Sequence, residues 1–172
     1  MITTKVEKAI NEQILKEEYS SRLYLAMASW CEKNGYQGAA GFLYKHSDEE
    51  RLHQLKFVHY LNDRGGYALL QDVKQPPIKY SSLLDIFKEI LKHEQYITAS
   101  INELYHVCVT EKDYTTSNFL QWFITEQIEE ESIFKSILDK MELAGTDKSG
   151  LFHIDKELGG MAAPAKPAAP TA

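Results

Sequence analysis

The chain has 172 residues, of which 44% are hydrophobic, enough for one domain with a proper core. Its net charge is −6 and its basic residues form no run or stripe, which argues against a nucleic-acid partner and suits a cationic ligand. The N-terminal MITTKVEKAINEQ has no apolar signal core, and no apolar run approaches about 20 residues, so a soluble, cytoplasmic protein that does not enter a membrane is expected.

Only 9 glycines and 5 prolines are present, and three of the prolines fall in the last ten residues, which leaves a body that favours long helices. Thr4 with Glu7 reads as a capping box, and apolar residues recur from Val6 through Ile10, Ile14 and Met27 until KNGY at 33–36 stops the first helix. A second pattern begins after Gly38 at Ala39, Phe42 and Leu43 and breaks at Gly65-Gly66. Residues 66–80 carry Pro76-Pro77 and no helical period, and this length predicts a connection that crosses the molecule lengthwise. Ser82 can cap a third helix through Phe87, Leu91, Ile97, Ile101, Leu104 and Cys108. The fourth starts near Asp113, carries Leu120, Phe123, Phe134, Ile137 and Met141, and ends at Gly145.

The expected spans are therefore 3–34, 37–65, 81–110 and 114–144, an all-α, up-down-down-up four-helix bundle, with GLFHIDKEL at 150–158 as a short fifth helix. Residues 1–160 form the one domain. Residues 161–172, an Ala/Pro-rich tail, are expected to be disordered. Cys31 and Cys108 have no metal-type spacing and read as small buried hydrophobes in a reducing compartment. Leu15, Tyr19 and Leu23 on the first helix, and Tyr67, Ala68, Leu69 and Leu70 in the crossing segment, read as interface.

The inward seams contain acids. On the first helix the seam passes Ile10, Ile14 or Gln13, then Glu17, Ser21, Tyr24, Ala28 and Cys31; on the second it passes Ala39, Phe42, His46, Glu50, His53, Phe57 and Tyr60. The third and fourth carry Glu94, and Gln127 with Glu130. Helix midpoints fall near residues 18, 51, 95 and 129, so Glu17, Glu50, Glu94 and Glu130 should converge at one level of the core, joined by His53 one turn after Glu50. Four unpaired buried carboxylates would be strongly penalised, and no lysine or arginine lies in these seams. Bound metal is the natural compensation. Oxygen donors with one imidazole suit iron or manganese better than zinc, and a Glu-x-x-His pair with further glutamates is a dinuclear donor set known in bundles.

The segments LKEEYSSRLYLAM, FLYKHSDEERLH, KHEQYITASINEL, NFLQWFITEQIEEESIFKSI and LFHIDKEL resemble ferritins, and most closely the non-haem bacterial ferritins, over residues 1–158. The resemblance implies a ferroxidase centre with Glu17, Glu50 and His53 on a first iron, Glu50, Glu94 and Glu130 on a second, and Gln127 lining that second position. It also implies a third iron position at Glu49, Glu126 and Glu129, where pattern alone equally allows a solvated acidic face. Tyr24 is expected to hydrogen-bond a ligand carboxylate, with an ordinary core tyrosine as the alternative, and Trp122 is ambiguous. Arg51 stands where haem-binding relatives carry a methionine, so no haem is expected.

The function implied is iron storage and detoxification: Fe(II) is oxidised by dioxygen or hydrogen peroxide and Fe(III) passes to a mineral inside a hollow homo-oligomer of twenty-four subunits. A dinuclear oxygenase or peroxidase, a DNA-protecting mini-ferritin, and a purely structural bundle or a shell that binds iron without oxidising it are the alternatives. Gln127 and Glu130 stand where many dinuclear carboxylate proteins place a second Glu-x-x-His pair, and this departure favours a weakly held second iron over a fixed cofactor.

Overall fold

A computed structural model describes residues 2–162, and among these are five helices: α1 Thr4–Lys33, α2 Gln37–Asp63, α3 Leu83–Thr110, α4 Tyr114–Ala144 and α5 Lys148–Ala162. The four long helices lie within two residues of their expected bounds. Two local assignments change. The α1 N-cap is Thr3, whose hydroxyl accepts from the Val6 amide, and not Thr4. Helix α5 begins at Lys148 and includes Met161 and Ala162, so the expected boundary at 160 falls inside it; the remainder of the Ala/Pro tail lies outside the described residues. Ser82 caps α3 by accepting from the Asp85 amide at 3.1 Å, and Gly145 closes α4 at φ 57°, a left-handed turn that suits glycine.

The segment between α2 and α3 runs along α1. Buried Asn11 accepts from the Leu69 amide at 2.7 Å and donates to the Tyr67 carbonyl at 3.1 Å, while Tyr80 meets the Trp30 ring edge-on at 6.2 Å. Asn11 to Trp30 is about 28 Å of helix, so the segment crosses most of the bundle's length and delivers α3 parallel to α2. α1 packs against α2 and α3, α3 against α4, and α5 against α2. Among the described residues no Cα of α2 comes within 8 Å of one of α4. Side chains fill that wider seam: the Phe57 and Phe123 rings stack at 4.1 Å, and those of Tyr60 and Phe119 at 3.8 Å.

The apolar core is split in two. One cluster gathers Met27, Phe42, Phe87, Phe134 and Ile154; the other gathers Val6, Ile14, Phe57, Ile101 and Leu120. Between them lies a belt of buried polar side chains: Gln13 and Glu17, Glu50 with His53 and Gln54, Glu94, then Gln127 and Glu130. Leu23, expected at an interface, belongs instead to the first cluster, whereas Tyr67, Leu69 and Leu70 are exposed. No described helix is long and apolar enough to cross a membrane. Both cysteines are buried, and burial pushes each thiol up to about 12.

Helix α5 is tied in by a cap supplied from far along the chain. Tyr36, the α2 N-cap, offers no side-chain bond, and Asp155 takes its place by accepting from the amides of Gly38 at 3.1 Å and Ala39 at 2.8 Å. A carboxylate at a helix N-terminus meets both free N–H groups and the positive end of the helix dipole. Gly38 permits the approach, because a Cβ there would overlap the Asp155 carbonyl. Asp155→Ala is therefore expected to cost about 1–2 kcal/mol, read as a lower melting temperature with faster amide exchange in residues 148–162.

Candidate metal centre

Glu17 projects from the middle of α1 and Glu50 and His53 from one face of α2, and each of the three offers a donor atom within 4.8 Å of the others'. All three are buried. His53 Nδ1 lies 3.5 Å from Glu50 Oε2, as the one-turn spacing dictates, and its ring stands edge-on to Trp122 and Phe123 at 5.4 and 6.0 Å. Trp122 thus walls one side of His53, with the Lys56 ammonium 3.1 Å above its ring. Gln13, one turn before Glu17, donates Nε2 to Glu17 Oε1 at 2.7 Å.

Glu94 enters from α3 and is held from two sides. The Tyr24 hydroxyl donates to its Oε1, and Gln127 Nε2 donates to its Oε2 at 3.0 Å and to its backbone carbonyl at 3.2 Å. Tyr24 and Gln127 therefore both touch a candidate ligand. Glu130 enters from α4 and is also buried, yet among the described residues its Oε2 has no hydrogen-bond partner.

His46 explains where Glu130 faces. Its Nδ1 donates to the Phe42 carbonyl at 3.0 Å, which leaves Nε2 as the free nitrogen, 3.6 Å from Glu130 and 3.9 Å from Glu49. These separations are too long for hydrogen bonds but suit donors arranged around a cation. His46, Glu49 and Glu130 form a second group with donor atoms mutually within 4.8 Å. Their cleft, about 230 Å³, is also lined by Glu126 and Glu129. Glu49 and Glu126 are half-buried and Glu129 is exposed, so the outer acids grade from the core to solvent. His46 is the one donor that the sequence reading left unassigned. Its place in the α2 seam, one turn before Glu50, was the available signal.

Burial and neighbouring charge raise the proton affinity of three of these carboxyls, Glu17, Glu94 and Glu130. Burial, then the charge of Glu50, lifts Glu17 well above the usual carboxyl range. Burial raises Glu94 to about 7, opposed by the Gln127 hydrogen bond. Glu130 rises to about 9 through burial followed by the charges of Glu94, Glu50, Glu49 and Glu126. Burial lowers His46, keeping its imidazole neutral and able to donate an electron pair. Among the described residues no lysine or arginine bonds to the central carboxylates, and the donor set suits a metal cation as the compensating charge.

A Ferritin-like domain family model matches residues 7–144. The chain is 47% identical over 156 residues to a bacterial non-heme ferritin of Campylobacter jejuni, covering 91% of this chain and 93% of that protein. It is 48% identical to a bacterial non-heme ferritin of Escherichia coli, covering 92% and 96%. The open pore ferritin of the hyperthermophilic archaeon Archaeoglobus fulgidus superposes with a TM-score of 0.91 at 39% identity, covering 92% of this chain and 98% of that one.

Proposed function

The chain belongs to the ferritin family, and from that premise we propose that it stores and detoxifies iron, oxidising Fe(II) to Fe(III) at the carboxylate belt. The convergence of Glu17, Glu50 and His53 from two helices is the observation that carries this reading. In it, these three hold a first Fe(II). Glu50 bridges to a second held by Glu94 and Glu130, with Gln127 alongside.

Iron is substrate here, and the site's composition fits a substrate that must leave. Carboxylates bind both Fe(II) and Fe(III), and the second position has no imidazole to hold it tightly. Loss of one electron from each of two Fe(II) reduces hydrogen peroxide to water, and two such pairs reduce dioxygen to water. The protons come from the carboxyls that metal entry displaces and from water. Glu130 lies in the His46–Glu49 cleft while feeling the charges of Glu94 and Glu50, which supports a third position at Glu49, Glu126, Glu129 and His46 on the way out.

A mineral needs an enclosure that one bundle lacks. Exposed Leu52, Tyr67, Leu69, Leu70 and Ile78 support a homo-oligomer, which this reading takes as a closed shell of twenty-four subunits acting in the cytoplasm without haem, nucleic acid or membrane. Native mass measurement after aerobic Fe(II) loading checks this. A shell of twenty-four chains carrying ferric mineral is expected; a twelve-subunit particle, or a shell that stays iron-free, contradicts it.

A further inference from the structure

Three short hydrogen bonds connect a half-buried cation to the first metal position. Lys16 Nζ lies 2.5 Å from Ser100 Oγ, the Ser100 hydroxyl donates to Gln13 Oε1 at 2.6 Å, and Gln13 Nε2 donates to Glu17 Oε1 at 2.7 Å. Gln13, Lys16 and Glu17 share one turn of α1, while Ser100 comes from α3. Gln13, Ser100 and Glu17 are buried, so each must find its partners inside the bundle.

The direction of the chain follows from the groups at its ends. An ammonium only donates, so Ser100 accepts from Lys16, and the single serine proton must go to the next acceptor, the Gln13 oxygen. That leaves the Gln13 nitrogen for Glu17, whose carboxylate needs a donor once metal has displaced its proton. A carboxamide is nearly symmetric in shape, and nothing steric prevents it from turning over. Without a donor-only group at the outer end, Ser100 could reverse, Gln13 could present its oxygen inward, and two acceptors would then face each other at the metal position.

We propose that Lys16, acting through Ser100, is a positioning residue that fixes the orientation of the Gln13 carboxamide and so determines which Glu17 oxygen is offered to metal. Oε1 is engaged by Gln13, and Oε2 is left for the ion. The Lys16 stem is itself placed, with its ammonium 5.8 Å from the centre of the Tyr96 ring and its backbone carbonyl accepting from Ser20 at 3.1 Å. The proposal rests on Glu17 being a ligand, as read above.

Co(II) titration of the metal-stripped full chain, followed by visible absorption, tests it, because band positions report coordination number and geometry. Lys16→Met, Lys16→Gln and Ser100→Ala are expected to weaken the first Co(II) equivalent roughly tenfold and shift its bands, while Lys16→Arg and Ser100→Thr restore both. Lys16→Gln is the discriminating variant, since it can still hydrogen-bond Ser100 but is no longer donor-only. Co(II) binding by Lys16→Gln that matches the unsubstituted protein overturns the proposal. So does a fall in melting temperature across the variants with affinity and bands unchanged. Glu17→Gln is the separate control: if it binds Co(II) like the unsubstituted protein, the assignment of Glu17 as ligand fails first, and the relay with it.

Discussion

Replacing Glu50 and His53 together by alanine is expected to lower the initial rate of Fe(II) oxidation by about 100-fold or more, with the helical fold intact. Changes to groups that only orient metal ligands typically cost roughly 10–100-fold in metal affinity or activity, and these two are proposed as ligands themselves. Glu50 is shared: its donor atom lies with those of Glu17 and His53, and its charge acts on both Glu17 and Glu130. Without it neither proposed position is complete. Stability should not fall in step, because in the metal-free chain the Glu50 charge opposes ionisation of two buried neighbours and its removal relieves that repulsion. Stopped-flow absorbance of the ferric product, alongside the melting temperature of the metal-free protein, separates the two effects. A rate within about twofold of the unsubstituted protein would show that the oxidation reading has the wrong site. The single variants should not sum to the double, since residues acting as one unit fail together.

The placement of the candidate ligands was legible because its determinants are local. A seam at 3.5-residue spacing fixes which side chains of a helix face inward, and helices of nearly equal length bring their midpoints together whichever way they run. Glu17, Glu50, Glu94 and Glu130 needed nothing more to be placed in one belt. The ends of the four long helices were legible for the same reason, apart from the choice between adjacent Thr3 and Thr4, where either hydroxyl answers the capping rule.

What the sequence hid depends on long-range approach. Asp155 caps α2 from 116 and 117 residues away, and nothing near Gly38 announces that its missing side chain makes room for α5. Ser100 reaches Gln13 across 87 residues, and the seam left Gln13 as an alternative to Ile14 when both are buried. His46 stood in the α2 seam but gained meaning only when α4 brought Glu130 to its free nitrogen. Leu23 read as interface because one helix face cannot reveal how far a neighbouring helix wraps around it.

The same burial predicts how metal-free protein responds to pH. Its stability is expected to peak near pH 5 and to decline as pH rises toward 9, and a bound divalent cation should remove most of that decline. In the unfolded chain Glu94 and Glu130 ionise near 4.5, whereas in the fold they hold protons to about 7 and about 9. Between those limits the folded state binds more protons than the unfolded one, so unfolding becomes easier with each step up in pH. The stability these raised groups contribute is fully present below about 4.5 and is lost as pH passes through their folded values. For Glu94 alone the loss is on the order of 3 kcal/mol by the upper end of the range, at about 1.4 kcal/mol per pKa unit. On the acid side the sign reverses: Asp113, held below the usual range by its cap of Thr116 and by Arg64 at 3.1 Å in spite of its burial, contributes stability that disappears as it is protonated. Metal changes the alkaline limb because it replaces the protons; the carboxylates then ionise at no cost to the fold, and binding strengthens as pH rises. Calorimetry from pH 5 to 9, with a chelator and with Zn(II) as a redox-inert probe, should give two curves that diverge progressively toward alkaline pH. Glu130→Gln should make the chelator curve shallower above pH 7, where Glu130 still holds its proton. A chelator curve that is flat or rising over this range would mean that the belt is wetter, and its carboxyls more readily ionised, than their burial implies.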